Sequence, residues 1–234
     1  MGEGNPGIYL SRDFYNCVRK MTKLSKTDLI IDSVQAGIRG TGYLSVVDYP
    51  HLKGEEPPDM EVFSKAVSSG QYPLSILAMR ENIFERFQTG LYGNTMTGNP
   101  KALEIGYETL KRLDNKLITN IREKGDSFKN MLHEISVNFP DIVSHVTGSG
   151  LLLALHIKPE YIVDKNKGLE YICRYNGLNV IHGGQNALRF TPHFLINDKE
   201  IKLIKKLLEI SLQALRNEDK THLYQYFERL DIKI

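Results

Sequence analysis

Two short apolar runs in this chain each lead to a charged side chain, and no other feature constrains the fold as tightly. Leu29-Ile30-Ile31 ends on Asp32, with Ser33-Val34-Gln35-Ala36-Gly37 behind it. Met60-Glu61-Val62-Phe63-Ser64 delivers Lys65 into Ala66-Val67-Ser68-Ser69-Gly70. Brief apolar runs bounded by turn-forming residues suit buried β-strands. In open α/β sheets the ends of such strands are where ligands bind.

The rest of the chain fits an α/β frame. A helix is predicted over Tyr9–Ser25, with Leu10, Phe14, Val18 and Met21 at helical spacing. Leu74–Met79 is a nearly continuous apolar run, typical of a strand covered on both faces. Arg80–Phe87 reads as a short helix. Pro100 is placed to open a long one, with Leu103, Tyr107, Leu110, Leu113 and Leu117 as its apolar face and a break expected at Lys124-Gly125 before Phe128, Met131, Leu132 and Ile135. After Phe139-Pro140, strands are predicted at Ser144–Thr147, Gly150–Ile157, Leu178–Ile181 and Ala187–Phe190, with a helix at Leu169–Tyr175. The last helix opens at Asn197 or Asp198 and buries Ile201, Ile204, Leu207, Leu208, Leu212 and Leu215. The tail from Lys220 is amphipathic.

Composition excludes several classes. The 234 residues suffice for one large or two small domains, and a net charge of +2 gives no reason to expect nucleic acid or an anionic membrane as partner. Cys17 and Cys173 form no Cys-x-x-Cys, and the seven histidines show no metal spacing, so neither a disulfide framework nor a metal site is indicated. No apolar run approaches membrane-span length. Met1–Pro6 lacks the basic flank and apolar core of a signal peptide, and a cytoplasmic protein is expected.

A strand-end carboxylate and a strand-end lysine suit pyridoxal 5'-phosphate, which needs an acid under its pyridine nitrogen and an amine for a Schiff base. The surrounding motifs resemble those of class III aminotransferases, the fold-type I enzymes that include ornithine, acetylornithine and 4-aminobutyrate aminotransferases. Asp32-Ser33-Val34-Gln35 resembles the family's Asp-Glu-Val-Gln, and Phe63-Ser64-Lys65-Ala66 its lysine segment. Gly93-Asn94-Thr95-Met96-Thr97-Gly98-Asn99-Pro100 is similar to its Thr-x-x-x-Asn-Pro stretch. Leu188-Arg189-Phe190-Thr191-Pro192 looks like its Arg-Phe-x-Pro, and Gly2-Glu3-Gly4 like the end of its Gln-Gly-Glu-Gly-Gly. The matches follow the family's order along nearly the whole chain. They imply part of a large domain with a mostly parallel sheet (1–108), then a connecting helix and a small α+β C-terminal domain (109–234).

The resemblance also implies roles. Asp32 would face the pyridine nitrogen, Val34 a ring face, and Gln35 the phenolic oxygen. Lys65 would form the Schiff base and later move a proton. Thr95 would bind the phosphate across a homodimer interface, Arg189 would clamp a substrate carboxylate, and Glu3 would pair with that arginine. The amino donor would be an amino acid or amine, and the acceptor a 2-oxo acid. From the residues alone, Asp32 also reads as an ordinary strand-end Asp, Val34 as plain core and Thr95 as a loop threonine satisfying its own turn. His182 reads as a turn or pocket-lining residue, and Gly148-Ser149-Gly150 as a turn rather than a phosphate loop. Ser33 departs from the family, which usually has Glu there. Met1 falling inside a motif is read as an N-terminal truncation, with the phosphate turn and an aromatic residue missing. A non-catalytic fragment therefore stands beside the transaminase, as does a decarboxylase, racemase or aminomutase on the same fold.

Overall fold

The computed structural model describes residues 5–8, 10–93, 95, 97–164 and 168–217. These fall into two compact units that divide inside one helix, between Arg122 and Glu123, with residues 5–8 belonging to the second.

The first unit opens with helix α1 (Arg12–Leu24), capped by Ser11, whose side chain accepts from the Phe14 N–H. Tyr15 and Arg19 form its buried face, whereas Phe14 and Met21 of the expected stripe are exposed. Three strands follow: β1 (Ile30–Asp32), β2 (Met60–Phe63) and β3 (Ile76–Met79). They lie in the order β1-β2-β3, the first pair parallel and the second antiparallel. Leu77 is 48% exposed, so β3 is not covered on both faces as its apolar run suggests. An antiparallel strand can leave one face to solvent, which a parallel one rarely does. Tyr15, Leu29, Val46, Tyr49 and Leu52 pack as the core between α1 and the sheet's loops.

Helix α2 (Glu81–Phe84) is short. Pro100 is the first residue of α3 (Pro100–Lys111), and Asn99 caps it by accepting from the Lys101 and Ala102 N–H groups. Its buried residues are Ala102 and Gly106; Leu103 and Tyr107, expected inside, are exposed. The chain then breaks at 112–114 instead of at Lys124-Gly125. Asp114 Oδ1 accepts the Leu117 N–H at 2.7 Å, a local cap that starts α4 (Asn115–Asn138), and α4 runs through Gly125 without interruption.

The second unit is built on a four-stranded antiparallel sheet in the order β4-β5-β7-β6: β4 (Val143–Ser149), β5 (Leu152–Ile157), β6 (Ile181–Gly183) and β7 (Ala187–Phe190). Every residue of β5 except His156 is buried. Phe128, Leu132 and Ile135 of α4 are fully buried, and Phe128 meets Phe190 edge-on with centroids 5.4 Å apart. Gly125 permits a close crossing: a Cβ there would sit 2.5 Å from the Gly150 backbone. Helix α5 (Leu169–Tyr175) packs with α6 (Asp198–Arg216), and Asn176 Nδ2 donates to Ser211 Oγ at 3.0 Å. Cys173 is buried on α5, and Cys17 is exposed on α1. A complete capping box opens α6: Asn197 accepts from the Glu200 N–H while the Glu200 side chain accepts from the Asn197 N–H. Among the described residues no helix is long and apolar enough to cross a membrane.

Candidate active site

Parallel pairing sets the site. The register Ile30↔Met60, Ile31↔Glu61, Asp32↔Val62 brings the two strand ends out at the same edge of the sheet. Ser33 extends the ladder by donating its N–H to Val62 O at 3.0 Å. Asp32, the last residue of β1, therefore lies beside the residues that lead from β2 into Lys65. Its carboxylate is exposed, and Oδ1 accepts the Val34 N–H at 2.9 Å, forming a tight turn at the strand end. A carboxylate has a second oxygen with which to accept.

Lys65 is exposed and opens a short 3-10 turn, Lys65–Ser68, whose next three residues are buried. Its φ is +45°, a left-handed conformation unusual for any residue but glycine. Such backbone costs about 1–3 kcal/mol and persists where surrounding contacts impose it, often at functional sites. Here the contacts lie on both sides. Ser64 Oγ donates to Leu74 O at 2.5 Å and receives Ser75 Oγ at 3.2 Å, while Ala66, Val67 and Ser68 anchor the far side in the core.

Between Asp32 and β2 lies the segment 33–46. Ser33 is buried and Val34 is half-buried. Gln35 carries a buried Oε1 with no hydrogen-bond partner among the described residues. A cavity of about 200 Å³ is lined by Ile31, Asp32, Ser33, Val46, Tyr49 and His51, among others. Ligand pockets for small molecules usually run to about 300–1,000 Å³, and this cavity is smaller. Tyr49 donates from its hydroxyl to Ala36 O at 2.9 Å. Burial pushes the Tyr49 phenol up, and the nearby Glu61 carboxylate adds to it, so Tyr49 stays a proton donor at neutral pH. Burial also pulls the Arg39 guanidinium down to about 10.

Glu61 was not among the residues that sequence singled out. It is 5% exposed and accepts from Ser33, Ser45 and Val46. The signal was present, since a carboxylate inside the run Met60–Phe63 must find donors if that run is a buried strand.

The remaining expected residues are distributed as follows. Thr95 belongs to the first unit, exposed in a turn. Arg189 belongs to the second, 6% exposed on β7, with Ala154 and Ile181 as register partners on either side. Glu3 lies outside the described residues. Residues 5–8 follow it closely in sequence and reach the same sheet: a Cβ at Gly183 would lie 3.4 Å from Pro6 Cγ and 3.6 Å from Arg189 Cβ. Thr147 Oγ1 donates to Pro6 O at 2.8 Å, fixing this segment to β4. His182, expected in a turn or lining a pocket, is the middle residue of β6, and its N–H and Nδ1 both bond the buried Glu170 carboxylate.

The chain as a whole resembles known proteins. A relative of 28% identity over 220 residues is the mitochondrial acetylornithine aminotransferase of Yarrowia lipolytica; the match covers 93% of this chain and 50% of that one. The ornithine aminotransferase of Saccharomyces cerevisiae is 30% identical over 203 residues, covering 86% of this chain and 47% of the yeast protein. Among solved structures, the ornithine aminotransferase of Plasmodium yoelii superposes with a TM-score of 0.77 at 28% identity, over 90% of this chain and 54% of that one. The chain thus spans about half the length of the curated relatives it matches. Its fold is that of the fold-type I transferases. The family model described as aminotransferase class-III matches residues 2–212. That span takes in both units, and by it the chain belongs to the class III aminotransferases.

Proposed function

We propose that this chain contributes the lysine and the ring-binding carboxylate of a pyridoxal-phosphate-dependent aminotransferase, moving an amino group from an amino acid or ω-amine to a 2-oxo acid. The observation that carries the reading is the parallel β1–β2 pairing, which sets the Asp32 turn beside the segment leading to a backbone-strained Lys65. The residues present fit the cofactor. Asp32 offers an exposed carboxylate and Gln35 a buried polar atom without a partner among the described residues, suited to a ring with a protonatable nitrogen and a phenolic oxygen.

Bound pyridoxal phosphate would supply a carbonyl carbon that takes up amines and a ring that draws off electrons. The chain's own residues would do the rest. The Asp32 carboxylate holds a proton at the ring nitrogen. Lys65 would hold the cofactor through its amine and would move a proton at the donor's Cα. The Val34 side chain packs on the ring, and the Gln35 amide meets the phenolic oxygen. Thr95 binds the phosphate from the other subunit of a homodimer. Arg189 clamps a substrate carboxylate through its planar fork, with Glu3 as its exchangeable partner. In this reading residues 1–108 carry the cofactor side, and 109–234 the connecting helix and small domain. Two free thiols fit a reducing compartment, which we take as the cytoplasm, although the Yarrowia relative is named mitochondrial. Cell fractionation tests that placement.

Borohydride reduction with added pyridoxal phosphate, followed by peptide mapping, tests the reading. Modification confined to Lys65 and lost in Lys65→Ala is expected. Modification scattered over surface lysines would overturn it. Turnover of an amine without transfer to pyruvate or 2-oxoglutarate would instead assign a decarboxylase, racemase or aminomutase.

A further inference from the structure

Glu61 is the buried acid near the site to which the proposed chemistry gives no task. Its Oε1 receives Ser33 Oγ at 2.5 Å and the Val46 N–H at 2.9 Å, and its Oε2 receives Ser45 Oγ at 2.6 Å. All three donors are neutral, and they come from the two ends of one loop. Ser33 is the first residue after β1. Ser45 and Val46 are where the chain returns to the core, Val46 packing with Tyr15, Leu29, Tyr49 and Leu52. One carboxylate on the central strand therefore closes the segment 33–46 at both ends. A hydrogen bond to a buried charge is worth roughly twice a neutral one, so this closure is strong for its size.

The closed loop begins at the Asp32 turn and carries Val34 and Gln35. We propose that Glu61 is a positioning residue, holding the Asp32–Gln35 turn in the shape that presents Asp32 and Gln35 to the cofactor. The proposal rests on the aminotransferase reading for what that turn presents, not for the closure itself. It also accounts for Ser33. At position 33 this chain has a hydroxyl, and the carboxylate it donates to lies one strand over on β2. Ser33 is thus half of a pair whose acid stands on β2.

The test is residue-resolved amide exchange on the 15N-labelled full chain without cofactor, comparing wild type with Glu61→Gln. Gln keeps the shape but turns one acceptor into a donor that faces donors. Exchange at Val46, and at Val34, whose N–H bonds Asp32, should quicken about tenfold, as for the loss of a charge-assisted hydrogen bond. Amides of α1 and of the β2–β3 ladder should keep their rates, a selectivity that a merely structural role would not produce. Unchanged exchange at Val34, or equal acceleration throughout the unit, overturns the proposal. If Glu61→Gln does not fold, Ser33→Ala decides. It removes a single donor, so selective acceleration at Val34 supports the proposal and its absence overturns it. Lys65 modification by pyridoxal phosphate and borohydride is read in parallel. A wild-type chain unmodified at Lys65 counts against the aminotransferase reading, while the exchange rates still decide the role of Glu61.

Discussion

A left-handed backbone at Lys65 stores strain that glycine would not carry. Lys65→Gly should therefore stabilise the chain by about 1 kcal/mol, raising the melting temperature by about 2–4 °C while removing borohydride-fixable cofactor. A melt no higher than wild type would mean the conformation is unstrained. Asp59 shows a different dependence on its surroundings. It takes a bidentate pair from Arg19 at 2.5 and 3.0 Å and the Leu29 N–H at 2.8 Å. Burial pushes its carboxyl up, but the Arg19 hydrogen bond, the Leu29 N–H and the charges of Arg19 and Arg80 outweigh it, and the net position is below the usual 3.8. A carboxyl depressed in the fold stabilises in full above its unfolded value, and that stability is lost as pH falls through the folded value. Urea midpoints should accordingly decline below about pH 4 in wild type. Asp59→Asn should flatten that decline and cost on the order of 3 kcal/mol at neutral pH, because Arg19 loses its buried partner. At this scale the sequence showed Asp32 and Lys65, since each terminates an apolar run. Glu61 escaped notice because its partners lie 15 to 28 positions away.

Helix α4 crosses the Gly150 loop with no room for a side chain at Gly125. Gly125→Ala would gain about 1 kcal/mol of helix propensity, yet its Cβ would meet backbone that cannot rotate aside. The expected result is a net loss of about 1–3 kcal/mol in urea unfolding, with amide exchange quickened in β4 and β5. A stabilised variant would show that the crossing is loose. The helices also show where pattern reading stops. Periodicity located α1, α3 and α6, but of the apolar stripe expected for α1 only Leu10 and Val18 pack against the core, while Phe14 and Met21 are exposed. Its buried face contains Arg19, a charged residue drawn inward by Asp59, 40 positions away, which no local pattern reports. In α3 the buried face is Ala102 and Gly106, residues too small to weigh in a stripe of leucines. The break at 112–114 was legible in principle, because Asp114 is a good cap; Gly125 was the more conspicuous signal and the wrong one. The strands expected at Gly150–Ile157 and Ala187–Phe190, by contrast, were placed from their apolar runs, and the structure has them at Leu152–Ile157 and Ala187–Phe190.

Across the whole chain, element order and family motifs were legible because they are linear properties. The division at Arg122–Glu123 was not, since it depends on which side chains each end of α4 meets. Each unit carries one thiol, and the two differ sharply. Cys17 is exposed, whereas burial pushes Cys173 up to about 12, with a Ser211 hydrogen bond partly offsetting it. Alkylation depends on thiolate and on access, and Cys173 is denied both. At neutral pH a maleimide should attach first at the exposed Cys17, and a second time only when the α5–α6 pairing opens. Mass spectrometry of a timed reaction checks this, and two labels arriving together would refute it. The delay of the second label measures how often the C-terminal unit breathes, so the native chain is its own stopwatch for local opening, with no probe engineered into it.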